Sequence, residues 1–519
     1  MELEGVVRRA YSRRAFLLGA VSATTAGVLA ACSQPAATPT TAPAAPTTAA
    51  APTKPAASPA AAASPSAAAA ASPSAAAAAA SPAVKPAASP AAAASPSAVA
   101  AAATPSVSRT AAPTVPANIV SAAKQYSGQT VVYYGDGVGV AGQMEQAATQ
   151  QFTKDTGINV NFTQRPQDST EALALYQRFF QGQSSDIDAF SIDVVWPGQI
   201  AQHLVDLTQA TSDDIKAHYP GIVANDTVGG KLVAMPYFSD FGMLYYRTDL
   251  LQKYGFSGPP ATWDDLNMMA QKIVAGEKAS NPTFAGIVFQ GKAYEGLTCN
   301  ALEWIASSGG GTIIDQNNKV TVNNPQAAAI LNEIKGWIGN TVPQGVTSYQ
   351  EEDARQAFQG GNAAFMRNWP YAYSLGQASD SQVVGKFDAG PLPAQAGGKP
   401  TGTIGGWGQA VSKYSKVQDA AVQLVRYFCC PDVQRWRAIA GSFVPTIQTI
   451  AEDPQVVAVM PYLKTTANVD RVGRPTGAFA DNYNQASTAF FQGVSQILAG
   501  GDAAQNLADV QSKLQRLLA

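Results

Sequence analysis

The stretch TVVYY at residues 130–134 has the β-branched and aromatic composition of a buried strand, and the chain beyond it alternates between strand and helix patterns. A Gly-rich turn leads to a helical pattern over residues 143–156. A second strand at 158–162, a second helix at 170–181 and a third strand at 187–195 follow. Strands that alternate with helices of this length predict an α/β domain with a mostly parallel sheet.

The second half of the chain carries longer helical patterns that begin at recognisable caps. Thr262 and Asp265 form a capping-box pattern, and Asn324 with Pro325 precedes a helix predicted to run to residue 338. Further strands are predicted at 363–367, 387–390 and 403–411, and further helices at 486–498 and 503–518. The roughly 400 residues from Val115 onward are enough for two lobes of ordinary size.

The first 31 residues have the pattern of an export signal. Arg13 and Arg14 precede a weakly apolar stretch that ends in LAAC, with the cysteine at Cys32. Paired arginines indicate twin-arginine export, and small residues before a cysteine indicate lipoprotein processing. The apolar run from 16 to 31 has 16 residues, which is short for a plain membrane anchor, the alternative, because a span needs about 20. We expect a signal peptide at 1–31 and a lipid on Cys32 that anchors the mature protein outside the cytoplasm, in the periplasm or on the cell surface.

Residues 32–115 are predicted to form a disordered tether. From 33 to 108 the chain is nearly all Ala, Pro, Ser and Thr, and the charged residues within this range are Lys54 and Lys85. Such side chains build no core, so nothing offsets the entropy lost on ordering.

Composition excludes several classes of function. The net charge is -2 and no basic stripe is present, so we expect no nucleic-acid partner. The two histidines, His203 and His218, make a zinc site improbable. The four cysteines suggest no disulfide framework, since one is assigned to lipid and two are adjacent. They are Cys32, Cys299, Cys429 and Cys430.

A glycine motif supports an alternative function. GVGVAG at residues 137–142 matches the dinucleotide fingerprint and lies between a predicted strand and helix. The acidic residue expected about 20 positions later is absent, although Arg165 could suit a 2′-phosphate. An exported NADP-dependent oxidoreductase is therefore one alternative, and a Gly-rich turn at the edge of a ligand cleft is the other.

The acidic run EED at residues 351–353 raises a second alternative, a lipoprotein glycosidase. Neighbouring carboxylates on one helix point in different directions, whereas glycoside hydrolysis needs two that face each other across a substrate. Because the run precedes a helical pattern, we interpret it as charge that stabilises a helix N-terminus.

Aromatic residues near two predicted strands suggest a sugar site. Pro370 keeps Trp369 extended, so Trp369 and Tyr371 project to the same side. In GGW at 405–407, two glycines suggest close backbone approach beside a tryptophan. An indole face suits the C–H face of a sugar, and neighbouring polar groups suit its hydroxyls. The remaining tryptophans in helical patterns are assigned to packing: Trp263, Trp304, Trp337 and Trp436.

These stretches resemble the extracellular solute-binding proteins of sugar ABC transporters, most closely the trehalose/maltose-binding branch. The similar stretches are IDVVWP at 192–197, YYRTDLL at 245–251, GKAYEGLTC at 291–299, GNAAFMRNWPY at 361–371 and GGW at 405–407. The resemblance covers residues 128–519, and its NWPY block is quite specific to this branch.

The resemblance implies a periplasmic-binding-protein-like α/β fold for residues 116–519, with two interleaved lobes and a ligand cleft between them. Lobe one would comprise about 116–242 and 391–443, and lobe two about 243–390 and 444–519. The chain would cross between the lobes near 240–246, 387–393 and 443–447.

The resemblance also implies a sugar ligand, ABC permease subunits as partners, and hinge closure around the ligand. The implied ligand-binding residues are Asp193, Asp240, Gly406 and Trp407 from the first lobe or hinge, and Trp369, Tyr371 and Arg474 from the second. We therefore expect a monomeric receptor with no catalytic residue, cofactor or metal.

Two positions depart from the pattern of this branch. Met144 stands where relatives carry a glutamate, with Glu145 one place out of register, and Phe238 stands where they carry a tyrosine. Each change removes a partner for a sugar hydroxyl, which places trehalose itself in doubt.

Overall fold

The computed structural model describes residues 107–519. The predicted signal peptide with Arg13 and Arg14, the lipidation site Cys32 and the tether up to residue 106 lie outside the described residues. Among residues 107–519, no helix is long and apolar enough to span a bilayer.

The described residues alternate between strands and helices. The strands are β1 Thr130–Gly135, β2 Asn159–Gln164, β3 Ala189–Asp193, β4 Thr227–Val228, β5 Lys231–Leu232, β6 Met235–Phe241, β7 Met243–Arg247, β8 Ala285–Val288, β9 Ala363–Asn368, β10 Phe387–Gly390, β11 Thr401–Val411 and β12 Asp470–Val472. The longer helices are Ala141–Thr156, Ser169–Gln181, Trp263–Glu277, Glu295–Ser307, Pro325–Trp337, Glu351–Gln359, Gln418–Cys429, Pro431–Gly441, Tyr483–Leu498 and Ala503–Leu518. The shorter helices are Ala117–Ala123, Pro197–Ile200, Pro220–Asn225, Thr248–Lys253, Ala372–Gly376, Gln448–Ala451, Pro454–Val459, Tyr462–Thr466 and Thr476–Phe479.

The first lobe is built on a sheet with the order β12-β11-β3-β1-β2, in which β6 also pairs with β11. The strands β1, β2 and β3 are parallel, which confirms the predicted strand–helix alternation. The long strand β11 runs antiparallel to both β3 and β6. Its central position brings the ends of β3 and β6 together, and the candidate site lies there.

The second lobe is built on a sheet with the order β10-β7-β9-β8. The predicted capping box at Thr262 is confirmed, because its side chain accepts from the Asp265 amide and the Asp265 carboxylate accepts from the Thr262 amide. The helix that follows packs in the core of this lobe through residues such as Trp263 and Leu266.

The chain leaves the first sheet at Gly242, the one residue between β6 and β7, and returns in the segment between β10 and β11. The third crossing differs from the prediction of 443–447. Val444 O accepts from Ser239 N at 2.9 Å and Thr446 O accepts from Tyr219 N at 2.9 Å, so this segment still belongs to lobe one. Further along the chain, the ring of Tyr462 packs on Tyr373 of the second lobe at 5.1 Å.

Two further predicted boundaries differ from the structure, one of lobe two and one of the tether. Residues 470–472 form β12 beside β11 in the first sheet rather than part of lobe two. The described end of the tether, residues 107–115, packs on the domain. Arg109 Nε donates to Ala440 O at 2.9 Å and its Nη2 to Ser374 O at 3.1 Å, and Val115 is buried. Arg109 and Val115 supply a charged and an apolar side chain for these contacts.

Candidate functional site

A cleft opens between the lobes where the ends of β3 and β6 and the middle of β11 face the end of β9. All seven residues predicted to bind ligand line it: Asp193, Asp240, Trp369, Tyr371, Gly406, Trp407 and Arg474. Its cavity is small, about 70 Å³, compared with about 300–1,000 Å³ for typical ligand pockets. The lobes are therefore close together in this structure.

Arg474 joins the two lobes inside the cleft. Its guanidinium donates to both oxygens of Asp193, with Nη2 2.8 Å from Oδ1 and Nη1 3.2 Å from Oδ2. Nη1 also donates to Glu295 Oε1 at 2.9 Å, on the first turn of a second-lobe helix. Because all three groups are buried, the pairing compensates charges that are expensive to desolvate. Asp193 therefore has a fixed orientation at the end of β3.

Asp240 offers a free acceptor in the same cavity. It lies on β6 opposite Gly405 of β11, and it is buried. Its Oδ1 has no hydrogen-bond partner among the described residues. Burial, followed by the nearby Asp136 carboxylate, raises the pKa of Asp240 well above its ordinary value, although Arg367 opposes the shift. Such a carboxyl group gains most from a ligand that supplies a hydrogen-bond donor.

Each cleft tryptophan is half-buried and has an arginine against its ring. The guanidinium of Arg367 lies 4.0 Å from the ring centroid of Trp369, and that of Arg165 lies 3.6 Å from the ring centroid of Trp407. Trp369 Nε1 also donates to Glu351 Oε1 at 3.3 Å. These contacts orient the two indoles while leaving part of each exposed to the cleft.

Tyr371 explains the glycine motif at 137–142. A Cβ on Gly139 would lie 2.6 Å from the Tyr371 ring, and Gly139 has a positive φ of 57°. A Cβ on Gly142 would lie 2.2 Å from the Gln164 amide. The glycines therefore admit neighbouring side chains from both lobes.

Gly406 also occupies a position that requires glycine. Its φ is 131°, and a Cβ there would lie 2.6 Å from Phe238 O. The pairing of β11 with β6 shifts register just after it, between Trp407 and Gly408. The close backbone approach predicted for this stretch is therefore present.

Several cleft residues were not predicted as ligand-binding residues. Arg165 pairs with Asp136 at 3.0 Å, and both line the cavity together with Glu351. Arg165 was considered only as a phosphate ligand, and Glu351 only as a glycosidase or helix-terminus carboxylate. A signal for Asp136 exists in its position at the end of β1, where functional side chains gather in parallel sheets.

The two positions that depart from the pattern of the trehalose/maltose-binding branch, Phe238 and Met144, have different surroundings. Phe238 lines the cleft and packs edge-on against Phe443 at 5.0 Å. Met144 and Glu145 are buried in the first lobe. Glu145 accepts from Asp136 N at 2.7 Å, and burial raises its pKa to about 7 although the Arg437 charge opposes the shift. Glu145 therefore supports the cleft from behind.

The acidic run at 351–353 is confirmed as a helix N-terminus. Asp353 completes a capping box with Gln350, and Glu351 accepts from Tyr294 OH at 2.6 Å. Glu352 accepts from Tyr371 OH at 2.7 Å. The carboxylates thus position aromatic side chains of the second lobe.

Polar contacts join the lobes beside the cleft. Asp168 Oδ2 of the first lobe accepts from Lys292 Nζ at 2.9 Å and from Gln350 Nε2 at 3.2 Å, both of the second lobe. Its Oδ1 accepts from the amides of Thr170 and Glu171 at the start of their helix. One carboxylate thus caps a helix and bridges the lobes.

Comparisons with known proteins agree with this geometry. Residues 136–435 match the family described as bacterial extracellular solute-binding protein. A Deinococcus radiodurans protein named "Probable ABC transporter-binding protein" is 49% identical over 381 residues, which cover 73% of this chain and 91% of that protein. The structure of maltose-bound T. maritima MalE3 superposes with a TM-score of 0.71 at 35% identity, covering 75% of this chain and 100% of that one. The acarbose-binding GacH receptor of Streptomyces glaucescens shares the fold, with a TM-score of 0.66 at 24% identity and coverage of 75% and 98%.

Proposed function

Because the chain belongs to the bacterial extracellular solute-binding protein family, we propose that it captures a sugar in the cleft and delivers it to an ABC importer. The observation that carries this proposal is that Trp369 and Trp407, from opposite lobes, line one cavity with Asp240, whose Oδ1 has no partner among the described residues. Apolar ring faces beside buried acceptors are what a sugar ring needs. The maltose bound to the relative that is 35% identical supports the same ligand class.

The cleft residues have distinct roles in this proposal. Trp369 and Trp407 stack on the sugar, and Asp240 accepts from a hydroxyl. Asp193 supplies a second acceptor, which Arg474 orients, and the Gly406 amide supplies a donor close to the ligand. Tyr371 lines the opposite wall. Phe238 adds no hydroxyl there, so the ligand is a disaccharide or small glycoside other than trehalose.

Binding is coupled to closure of the lobes. The chain passes between the lobes through short segments, including the single residue Gly242 between β6 and β7. A ligand that contacts both lobes favours the closed arrangement, which the bridge from Asp168 to Lys292 also stabilises. ABC permease subunits then receive the ligand.

The role is binding rather than catalysis. The comparisons do not support the oxidoreductase alternative, and the glycines of its motif admit Tyr371 and Gln164 instead. The carboxylates of the glycosidase alternative bind tyrosine hydroxyls. The protein acts without a cofactor or metal, and as a monomer.

The family is extracellular, and we propose a lipid on Cys32 as the anchor and Arg13 with Arg14 as the export signal. Cys32→Ala should abolish lipid labelling and membrane partition, and lysine at both arginines should block export. Unchanged labelling or unimpaired secretion would contradict these assignments.

A thermal-shift and calorimetric screen of the purified protein against mono- and disaccharides tests the function. We expect a saturable rise in Tm with at least one sugar, because a ligand that binds the folded state stabilises it. Binding of a nicotinamide cofactor, or turnover of NADP with sugars, would reverse the ranking of the two functions. A screen in which no sugar binds would contradict the proposal.

A further inference from the structure

A second, larger cavity adjoins the sugar cleft. Its volume is about 740 Å³, and Phe238, Gly405 and Arg474 line both spaces. Its walls come from both sides of the cleft, from residues 194–198 and 222–228 on one side and 312–316 on the other. The two cavities are therefore adjacent, and Phe238, Gly405 and Arg474 form their common boundary.

The second cavity has an aliphatic surface. Five half-buried aliphatic side chains line it: Val194, Ile222, Val228, Ile314 and Ile404. Of the side chains that the structure describes here, none is a carboxylate, a tryptophan or a tyrosine. The second cavity thus lacks the tryptophan faces and the carboxylate acceptors that the cleft supplies.

Three polar side chains of the second cavity already have partners. Asn225 Nδ2 donates to Val194 O at 2.9 Å, and the Thr312 hydroxyl donates to Ile314 O. Arg471 donates to Thr466 O at 3.0 Å, and its guanidinium lies 4.0 Å from the Phe241 ring centroid. A sugar ring placed here would find no carboxylate for its hydroxyls among the described side chains, whereas a hydrocarbon group would cover the aliphatic side chains and release water.

We propose that the physiological ligand is a glycoside whose sugar occupies the cleft and whose apolar aglycone extends past Arg474 into the second cavity. The proposal rests on the proposed sugar-binding function and names its ligand class. The boundary that the two cavities share argues for one ligand that occupies both, and the aliphatic lining argues for an apolar group on it.

Titration calorimetry of the full protein with matched glycosides tests the proposal. The probes are methyl and hexyl glucosides and maltosides in both anomeric forms, with maltose, glucose and maltotriose, all below micellar concentrations. In at least one pair, the hexyl compound should bind about tenfold tighter than the methyl compound, because each buried methylene adds apolar contact.

Two glycines allow the second cavity to be filled from opposite sides. Gly198 and Gly477 line it, are exposed, and have open space where a Cβ would be added. In Gly198→Leu and Gly477→Leu the hexyl advantage should fall to about threefold or less, because the leucine occupies the aglycone space, while the methyl glycoside binds as in the parent. Gly336→Leu, at an exposed helix position with open space that lines neither cavity, is the matched control.

The outcomes test the aglycone site and the sugar-binding function separately. Equal binding of methyl and hexyl glycosides would overturn the aglycone site and leave the sugar function standing. A gain with maltotriose but not with hexyl maltoside would make the second cavity a sugar subsite, which also overturns the proposal. Failure of every sugar and glycoside to bind would contradict the proposed function and the inference with it.

Discussion

Two pairs of tryptophans in this molecule occupy opposite environments. Trp263 and Trp337 lie 6.4 Å apart in the second-lobe core and are 3% and 4% exposed. Trp369 and Trp407 are half-buried at the cleft, each beside an arginine. The core pair contacts mainly apolar neighbours, whereas the cleft pair is held by charged groups with part of each ring uncovered. The same residue type should therefore contribute to stability in one place and to binding in the other.

Trp263→Ala should have the largest effect, a loss of about 3–5 kcal/mol in the free energy of unfolding. The substitution leaves a cavity in a packed core and removes the hydrogen bond that Trp263 Nε1 donates to the Ser307 hydroxyl at 2.9 Å. Urea denaturation measures the loss. The molecules that remain folded should bind sugar like the parent, and a stability close to that of the parent would contradict the assignment to the core.

A buried carboxyl outside the cleft makes the folding stability of this protein depend on pH. Asp226 is 2% exposed, and burial raises its pKa from 3.8 to about 7, although a hydrogen bond from Asn225 opposes the shift. The folded protein therefore holds a proton that the unfolded chain releases above pH 3.8. The stability that the protonated Asp226 contributes is fully present below pH 3.8 and is lost as the pH rises to about 7.

Asp226→Asn should remove this dependence, which amounts to about 1.4 kcal/mol per pH unit within that range. Urea denaturation of parent and variant from pH 4 to 8 measures it. Sugar affinity should not change, because Asp226 does not line the cleft. Asp240→Asn is the contrasting variant, and it should weaken binding because an amide NH2 group replaces one carboxyl oxygen that can accept from the ligand. Parallel pH profiles of the parent and Asp226→Asn would contradict the shift.

Trp369→Ala and Trp407→Ala should each weaken sugar binding by about 1–3 kcal/mol, by analogy with stacking of bases on aromatic rings. Each variant should keep more stability than Trp263→Ala, since part of each ring is already exposed. Calorimetry with the sugar found by screening measures the affinity. Parental affinity in both variants would contradict the placement of these tryptophans in the site. A loss of Tm as large as that of Trp263→Ala would assign them to the core.

The part of this arrangement that is predictable from sequence is the local part. The strand at 130–134 and the capping box at Thr262 depend on neighbouring residues, and both were predicted close to their observed bounds. The stacking of Arg165 on Trp407 depends on how β2 and β11 are placed in one sheet, which no local pattern encodes. The contact of Tyr371 with Gly139 joins two lobes and explains why a nucleotide-like glycine motif was ambiguous.

The third crossing shows the same limit. Nothing local to Val444 signals that its carbonyl bonds to Ser239 on β6. All seven residues implied by the resemblance lie in one cleft, whereas the lobe boundaries differ from those it implied, because the residues lie in recognisable motifs and the boundaries depend on tertiary contacts.

The smallest expected effect concerns a charge pair that connects the lobes. Lys292 binds Asp168 across the lobes, but its side chain is 36% exposed, so the pair contributes only about 0.2–1 kcal/mol to closure. Lys292→Met should weaken sugar binding by about twofold to fivefold, because the closed state loses this stabilisation. It is a better test than a change at Asp168, whose carboxylate also caps a helix.

The matched control is Lys216→Met, which removes an exposed pair with Asp213 within one lobe and should leave affinity unchanged. Raising the salt concentration should reduce the difference between parent and Lys292→Met, since screening weakens the pair. Equal affinity of parent and Lys292→Met at low salt would show that the bridge contributes nothing to closure and that the contacts inside the cleft, led by the two tryptophans, are sufficient.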